Sequence, residues 1–167
     1  MRLLKLSIVL LISLSMFSGC KFKKKGKGDG SLYGGTDVAL EEFPLDTFFE
    51  PVGSDTLILK EIHFDYDSYK INASEQEILT PIIGWLKDNA KSHLLVEGHC
   101  DERGSNEYNL ALGEQRALAV RQFFINSGIK AGRIQTISYG EERPLDPGHD
   151  ENAFKQNRRA HFLVSNG

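Results

Sequence analysis

Two charged residues of opposite sign stand fifteen positions apart in Val96-Glu97-Gly98-His99-Cys100-Asp101-Glu102-Arg103-Gly104 and the run Asn109-Leu110-Ala111-Leu112-Gly113-Glu114-Gln115-Arg116-Ala117. Asp101 falls in a polar loop flanked by glycines, and Arg116 falls on a segment with helical spacing. A guanidinium can grip a carboxylate with a bidentate fork, and a carboxylate can hold an ammonium. Fixed at one sheet edge, the pair suits a small zwitterion better than bond-breaking chemistry. Helical side chains lean toward the N-terminus. Arg116, one position before the apolar stripe residue Ala117, therefore aims back at the loop of Asp101. The competing reading is a structural salt bridge between the two.

Other residues near the same strand ends offer rival chemistry. His63, Asp65, Asp67, His99, Cys100 and Asp101 carry metal-ligating atoms, but their spacing fits no zinc or calcium pattern. His99 and Cys100 could compose a nucleophile and base. Neighbours on an extended chain point to opposite faces, however, and such chemistry needs neighbours in space. Asp65-Tyr66-Asp67 closes the first strand and reads equally as a solvated strand end or as one wall of a site. Ligand sites in α/β sheets gather where strands hand over to loops.

The elements that must position these groups follow from periodicity. Leu57 to Phe64 is expected as a strand, and Ser74 to Asn89 as a helix with Ile78, Ile82, Trp85 and Leu86 on one side. Pro81 either kinks that helix or starts its regular part, with Thr80 as cap. His93 to Gly98 is the second strand. Asn106 to Asn126 is a helix with Leu110, Gly113, Ala117, Val120 and Phe124 in a stripe, stopped by Ser127-Gly128. Ile134 to Tyr139 and Ala160 to Val164 are further strands, separated by a Pro/Gly-rich loop and a short helix through Ala153 to Asn157. The alternation implies an α/β two-layer sandwich: a mixed four-stranded sheet with two main helices on one face.

Composition adds bounds. With 167 residues, 40% hydrophobic and 26% charged, the chain suits one domain plus a leader and linker. The net charge of -3 and the lack of a basic, aromatic-interleaved face give no support to nucleic-acid binding. Arg2 and Lys5 precede an apolar run from Leu6 to Phe17, which reads as a signal peptide over 1–19 and is short for a membrane span. Phe17-Ser18-Gly19-Cys20 resembles a bacterial lipobox with Phe17 in place of the usual leucine. That resemblance makes Cys20 a lipidated N-terminus and leaves Cys100 as the only free thiol, so no intramolecular disulfide can form. Residues 20–55 read as a lysine- and glycine-rich tether, roughly 30–35 Å end to end as a coil. Leu40 to Phe49 is apolar enough to dock locally and shorten it. Residues 56–167 form the domain.

The same motifs resemble those of the peptidoglycan-associated lipoproteins, a lipoprotein branch of the OmpA C-terminal-like domains. The resemblance spans about Ile58 to Val164. It rests on His63-Phe64-Asp65-Tyr66-Asp67, on the two stretches around Asp101 and Leu110, on Ser138-Tyr139-Gly140-Glu141-Glu142-Arg143-Pro144, on Gly148-His149-Asp150-Glu151 and on Asn157-Arg158-Arg159-Ala160. It implies an OmpA-like fold and non-covalent binding of the peptidoglycan stem peptide through meso-diaminopimelate, with no catalysis and no cofactor or metal. By the resemblance, Asp101 holds the ammonium and Arg116 the carboxylate, while Tyr66 and Asp67 line the opposite wall. Lys21 after the lipidated cysteine favours an outer-membrane location facing the periplasm. A β-propeller protein of a Tol system is the implied second partner, on an overlapping surface, and an interaction module serving mainly that protein is the alternative function. Arg158 and Arg159 are expected to pair internally. Cys100 stands where relatives usually carry threonine or alanine, and Glu114-Gln115 where many have an extra arginine.

Overall fold

Local signals fix the long helix at both ends. The Ser105 side chain accepts a hydrogen bond from the Tyr108 N–H, satisfying a donor that helix geometry leaves free. Gly128, at φ +92°, supplies the left-handed residue just beyond the last turn. Between these stops, α3 (Asn106–Asn126) buries Gly113, Ala117, Val120 and Phe124, as the stripe requires. Asn109 and Arg116 are buried on the same helix, whereas Leu110 is only half-buried.

The computed structural model describes residues 43–165, which belong to a unit spanning Ala39–Gly167. The expected signal peptide, Cys20 and the tether up to residue 42 lie outside the described residues. Along the chain come α1 (Asp55–Ile58), β1 (Ile62–His63), α2 (Ala73–Asp88), β2 (His93–His99), α3, β3 (Ile134–Gly140), α4 (Glu151–Asn157) and β4 (Arg159–Ser165). The sheet order is β1-β4-β2-β3. β4 runs antiparallel to both its neighbours, and β2 and β3 are parallel, so the sheet is mixed.

One face of that sheet carries the core. Leu94 and Val96 of β2 and Ala160, Phe162 and Val164 of β4 join Leu79, Ile82 and Leu86 of α2 and Ala117, Val120 and Phe124 of α3 in one apolar cluster. Burying each larger side chain contributes about 1.5–3 kcal/mol. Strand alternation sends Arg159, His161 and Leu163 to the other face. The two-layer α/β architecture expected from the sequence is the one observed.

The helix–sheet contact is unusually close where it matters for the loop above it. A Cβ added to Gly98 of β2 would lie 1.9 Å from the Gly113 carbonyl oxygen of α3. One added to Gly113 would lie 2.3 Å from Ser138 Oγ. Only two glycines let α3 sit flat on β2 directly below the Cys100–Ser105 loop.

Three expectations need correction. The first strand does not run from Leu57 to Phe64, since only Ile62 and His63 pair with β4. Asp55 accepts a hydrogen bond from Trp85 Nε1 at 3.0 Å, and the Leu59 N–H closes on the Asp55 carbonyl. These bonds wind Asp55–Ile58 into one helical turn and leave Leu57 in solvent. Second, α2 runs unbroken through Pro81, with Asn72 rather than Thr80 at its start. The Thr80 hydroxyl instead donates to the Gln76 carbonyl at 2.8 Å, inside the helix. Third, the short helix begins at Glu151, capped by Asp150 Oδ1, which accepts from the Asn152 and Ala153 N–H groups. The apolar segment before Thr56 does dock: Phe49 exchanges two backbone hydrogen bonds with Val164, at 2.9 and 3.0 Å.

Candidate binding site

The loop after β1, the loop after β2, the first turns of α3 and the α4–β4 junction meet at one narrow cleft. It is lined by Tyr66, Asp67, Cys100, Asp101, Arg103, Tyr108, Asn109, Leu112, Arg116 and Arg158. All four residues expected to bind ligand, Asp101, Arg116, Tyr66 and Asp67, line it. The open volume is only about 20 Å³, less than a single amino acid needs. A larger groove of about 430 Å³ follows β3 beside Phe43, Leu45 and Arg121, but it lacks a carboxylate and any convergence of charge. The narrow cleft holds the chemistry.

Asp101 is 4% exposed and sits at the base of the cleft. Arg103 grips it from the mouth, Nη2 donating to Oδ2 at 2.6 Å and Nε to Oδ1 at 3.1 Å. Arg158 donates from behind, Nη1 to Oδ2 at 2.9 Å. Burial alone would raise the Asp101 pKa, but hydrogen bonds from Arg103 and Arg158 outweigh it and hold the carboxyl below its usual range. The result is a nearly buried carboxylate whose ionised form is favoured. Arg158 also donates to the Phe64 carbonyl and to Glu151 Oε1, and Arg159 pairs with Glu61. Both arginines are paired internally, as expected of that motif.

Arg116 neither bridges to Asp101 nor presents a free fork. It is 0% exposed. Its Nε donates to the Ser68 carbonyl at 2.9 Å, Nη1 to the His99 carbonyl at 2.7 Å and to Cys100 Sγ at 3.2 Å, and Nη2 to the Asp65 carbonyl at 3.2 Å. Helix geometry does aim it at the loop, yet three main-chain oxygens and a sulfur take four of its five N–H groups. The bidentate fork expected of Arg116 is spent on the two loops that frame the cleft. One Nη2 N–H is left to offer.

The rim is aromatic. The Arg103 guanidinium lies 4.1 Å from the centre of the Tyr66 ring and 4.6 Å from that of Phe154, an arrangement that cation–π attraction favours. The Tyr108 hydroxyl donates to Asp67. Asp67 has φ +51°, the one left-handed non-glycine among the described residues, in a region Asp tolerates better than most. Asn109 ties the loop together through Nδ2, reaching the Asp101 carbonyl at 3.2 Å and Glu141 Oε2 at 2.5 Å.

Cys100 is buried, and its thiol contacts the Asn109 carbonyl at 3.3 Å. Burial, only partly offset by Arg116, pushes its pKa up to about 11. Near neutral pH it is a thiol rather than a nucleophilic thiolate. His99 points away and stacks on Tyr139 at 5.7 Å, so the two do not compose a nucleophile–base pair. Sequence reasoning missed Arg103 and the link from Arg158 to Asp101. Arg103 lay in plain view two positions after Asp101, and its alternation with Asp101 along an extended loop was a usable signal.

A helix-backed mixed sheet with a buried acid at the base of a small, arginine-lined cleft defines an α/β domain with a candidate site for a small charged group. Comparison with known proteins identifies the family. The profile of the OmpA family matches residues 63–158. The chain is 36% identical over 158 residues to a protein described as peptidoglycan-associated lipoprotein from Pasteurella multocida, covering 93% of this chain and 96% of that one. A protein of the same description from Mesorhizobium japonicum is 38% identical over 159 residues, covering 95% and 90%. The crystal structure of the peptidoglycan-associated lipoprotein from Burkholderia pseudomallei superposes with a TM-score of 0.61 at 40% identity, covering 63% of this chain and 89% of that one. The chain belongs to the OmpA family, in its branch of peptidoglycan-associated lipoproteins.

Proposed function

We propose that this protein is an outer-membrane lipoprotein, anchored through Cys20 and facing the periplasm, that binds peptidoglycan reversibly and without catalysis. The observation that carries the reading is the state of Asp101: ionised, almost buried, and held at the cleft mouth by a guanidinium. Arg103 occupies the place an ammonium would take. The free-end ammonium of meso-diaminopimelate would replace it on Asp101. The released Arg103 and the remaining Arg116 N–H would then meet the ligand carboxylate, with Tyr66 and Asp67 as the facing wall.

Such an exchange trades one ion pair for another, so single-site affinity should be modest, micromolar or weaker, at most about 8 kcal/mol. Many copies on one membrane facing one polymer sheet would gain through effective concentration. That logic suits a tether that supports envelope integrity and yields during division.

A second partner fits the same rim. Tyr66 and Tyr108, which line the cleft, are each about half exposed or more, and exposed tyrosines favour protein contacts. A Tol-type β-propeller protein covering them would exclude peptidoglycan and complete a Tol system.

Sedimentation of the full-length protein with purified diaminopimelate-type sacculi tests the reading. Retention should be lost in Asp101→Asn and weakened on lysine-type sacculi. Equal retention on both wall types, or by a folded Asp101→Asn protein, would overturn the site. Cys20→Ser should move the protein from membrane to soluble fractions.

A further inference from the structure

The face of the sheet opposite the apolar core carries a cluster that the binding cleft does not use. His161 of β4 lies between two carboxylates: Nδ1 is 2.6 Å from Glu61 Oε1, and Nε2 is 2.9 Å from Glu50 Oε1. A carboxylate only accepts hydrogen bonds, so both ring nitrogens must donate, which only the imidazolium can do. Glu50 belongs to the segment that enters the fold beside Val164, and it makes no other hydrogen bond or ion pair among the described residues. Glu61 has a second cation, since Arg159 Nε donates to the same oxygen at 3.2 Å. The two carboxylates therefore depend unequally on the proton.

We propose that His161 is a proton-operated clasp that fastens the end of the N-terminal tether, at Glu50, onto β4. Protonated, the ring joins Glu50 to Glu61. Deprotonated, one ring nitrogen turns a lone pair toward a carboxylate. Glu61 keeps Arg159, so Glu50 is the partner released.

The surroundings set the direction. From β2, Glu97 is the register partner of His161, and His99 lies beyond it. From β4 itself comes Arg159, from β1 His63 opposite Arg159, and from the flanking segments Glu61 and Glu50. Burial opposes the imidazolium, while the Glu61 and Glu50 carboxylates favour it. Burial is the largest influence on His161 and lowers its pKa, but the hydrogen bonds to Glu61 and Glu50 together raise it above the ordinary value. For a raised histidine, the stabilisation is complete below the pKa of the released state and is lost as pH rises through that of the clasped state. The segment is thus held in mild acid and loosened at higher pH.

Phe48 is buried and Phe49 pairs with Val164, so the clasp changes how often the segment opens rather than holding it alone. Opening frees the eight residues 43–50, which span at most roughly 26–29 Å when extended. Acid would shorten the tether and alkali would lengthen it, whatever the Asp101 cleft binds.

Amide hydrogen exchange of the full-length chain, followed by NMR alongside the His161 ring resonances, tests this. After correction for intrinsic exchange, protection of the Phe49 and Val164 amides should fall across the His161 titration. The opening constant should change about tenfold per pH unit between the clasped and released titrations. Amides within β2, such as Val96, should not follow. Glu50→Gln, a change at an exposed side chain, should abolish the step. Phe49 protection that stays flat across the titration, or a step that survives in Glu50→Gln, would overturn the clasp.

Discussion

Arg103 holds Asp101 by both ends of its guanidinium, at 2.6 and 3.1 Å, while lying across the Tyr66 ring. The acid of the cleft therefore already has a cation at its mouth. Arg158 supplies a second, immobile cation from the interior, itself fixed to the Phe64 carbonyl and Glu151. Of the two, only Arg103 has room to move: its side chain is 35% exposed against 4% for Arg158. An ammonium that reached Asp101 would have to take the place of Arg103.

Arg103→Ala should separate binding from stability. A part-exposed ion pair contributes about 1 kcal/mol or less to folding, so the melting temperature should drop only slightly. Removing the one mobile cation should weaken diaminopimelate-containing muropeptides roughly 10- to 100-fold, the range for a hydrogen bond to a charged group. Titration calorimetry measures both the loss and its sign. Unchanged or tighter binding would show that Arg103 merely shields Asp101.

Arg116 should behave in the opposite manner. It joins the Asp65–Ser68 loop to the His99–Cys100 strand end through three carbonyl oxygens. Arg116→Met would strand those acceptors in the interior, and Arg116→Lys cannot reach all three. Each should lose several kcal/mol of stability, on the order of 3–5 for the methionine variant. Urea unfolding checks this directly. A variant that folds with normal stability would show that Arg116 does not hold the two loops together.

Local signals made α3 legible in the sequence over its full Asn106–Asn126 span, because a serine cap, an apolar stripe and a terminal glycine all agree there. The loops that carry the family motifs do meet at one cleft. Agreement failed where a long-range bond decides. Leu57 to Phe64 has strand composition, but the Trp85 indole, thirty residues away, recruits Asp55 into a helical turn. The partner of Arg158 is 57 residues distant, a pairing that no local spacing encodes. Arg116 was aimed correctly by helix geometry, yet its burial depended on carbonyls supplied by two loops, and main-chain acceptors leave no trace in residue type.

Gly113→Ala tests how the loop is supported. The new methyl would meet Ser138 Oγ at 2.3 Å and the Gly98 carbonyl at 2.9 Å. The serine can rotate, but the backbone of β2 cannot yield cheaply. Gly98→Ala meets backbone alone, at 1.9 Å, and should be the worse of the two. Overpacking typically costs about 1–3 kcal/mol and occasionally more. Gly113→Ala belongs in that range and Gly98→Ala above it, as thermal unfolding would show. Equal, mild effects would mean that α3 can lift off the sheet without strain.

Acid should act on the cleft through Asp101. Burial works to raise its pKa, but the Arg103 and Arg158 hydrogen bonds lower it further, so the net shift is downward. A depressed carboxyl contributes stability that is complete above its unfolded pKa, about 3.9, and that disappears as pH falls through the folded value. Peptidoglycan retention should accordingly survive mild acidification and fail only below the ordinary carboxylate range. Asp101→Asn removes the titrating group while keeping the shape. It should abolish retention at every pH and flatten the acid limb of the stability profile. It also leaves Arg158 buried beside a neutral amide, so its stability at neutral pH should fall by about 3–5 kcal/mol, as expected when one partner of a buried pair is removed. Retention that declined well above the ordinary carboxylate range would show that Asp101 is not the group that controls binding.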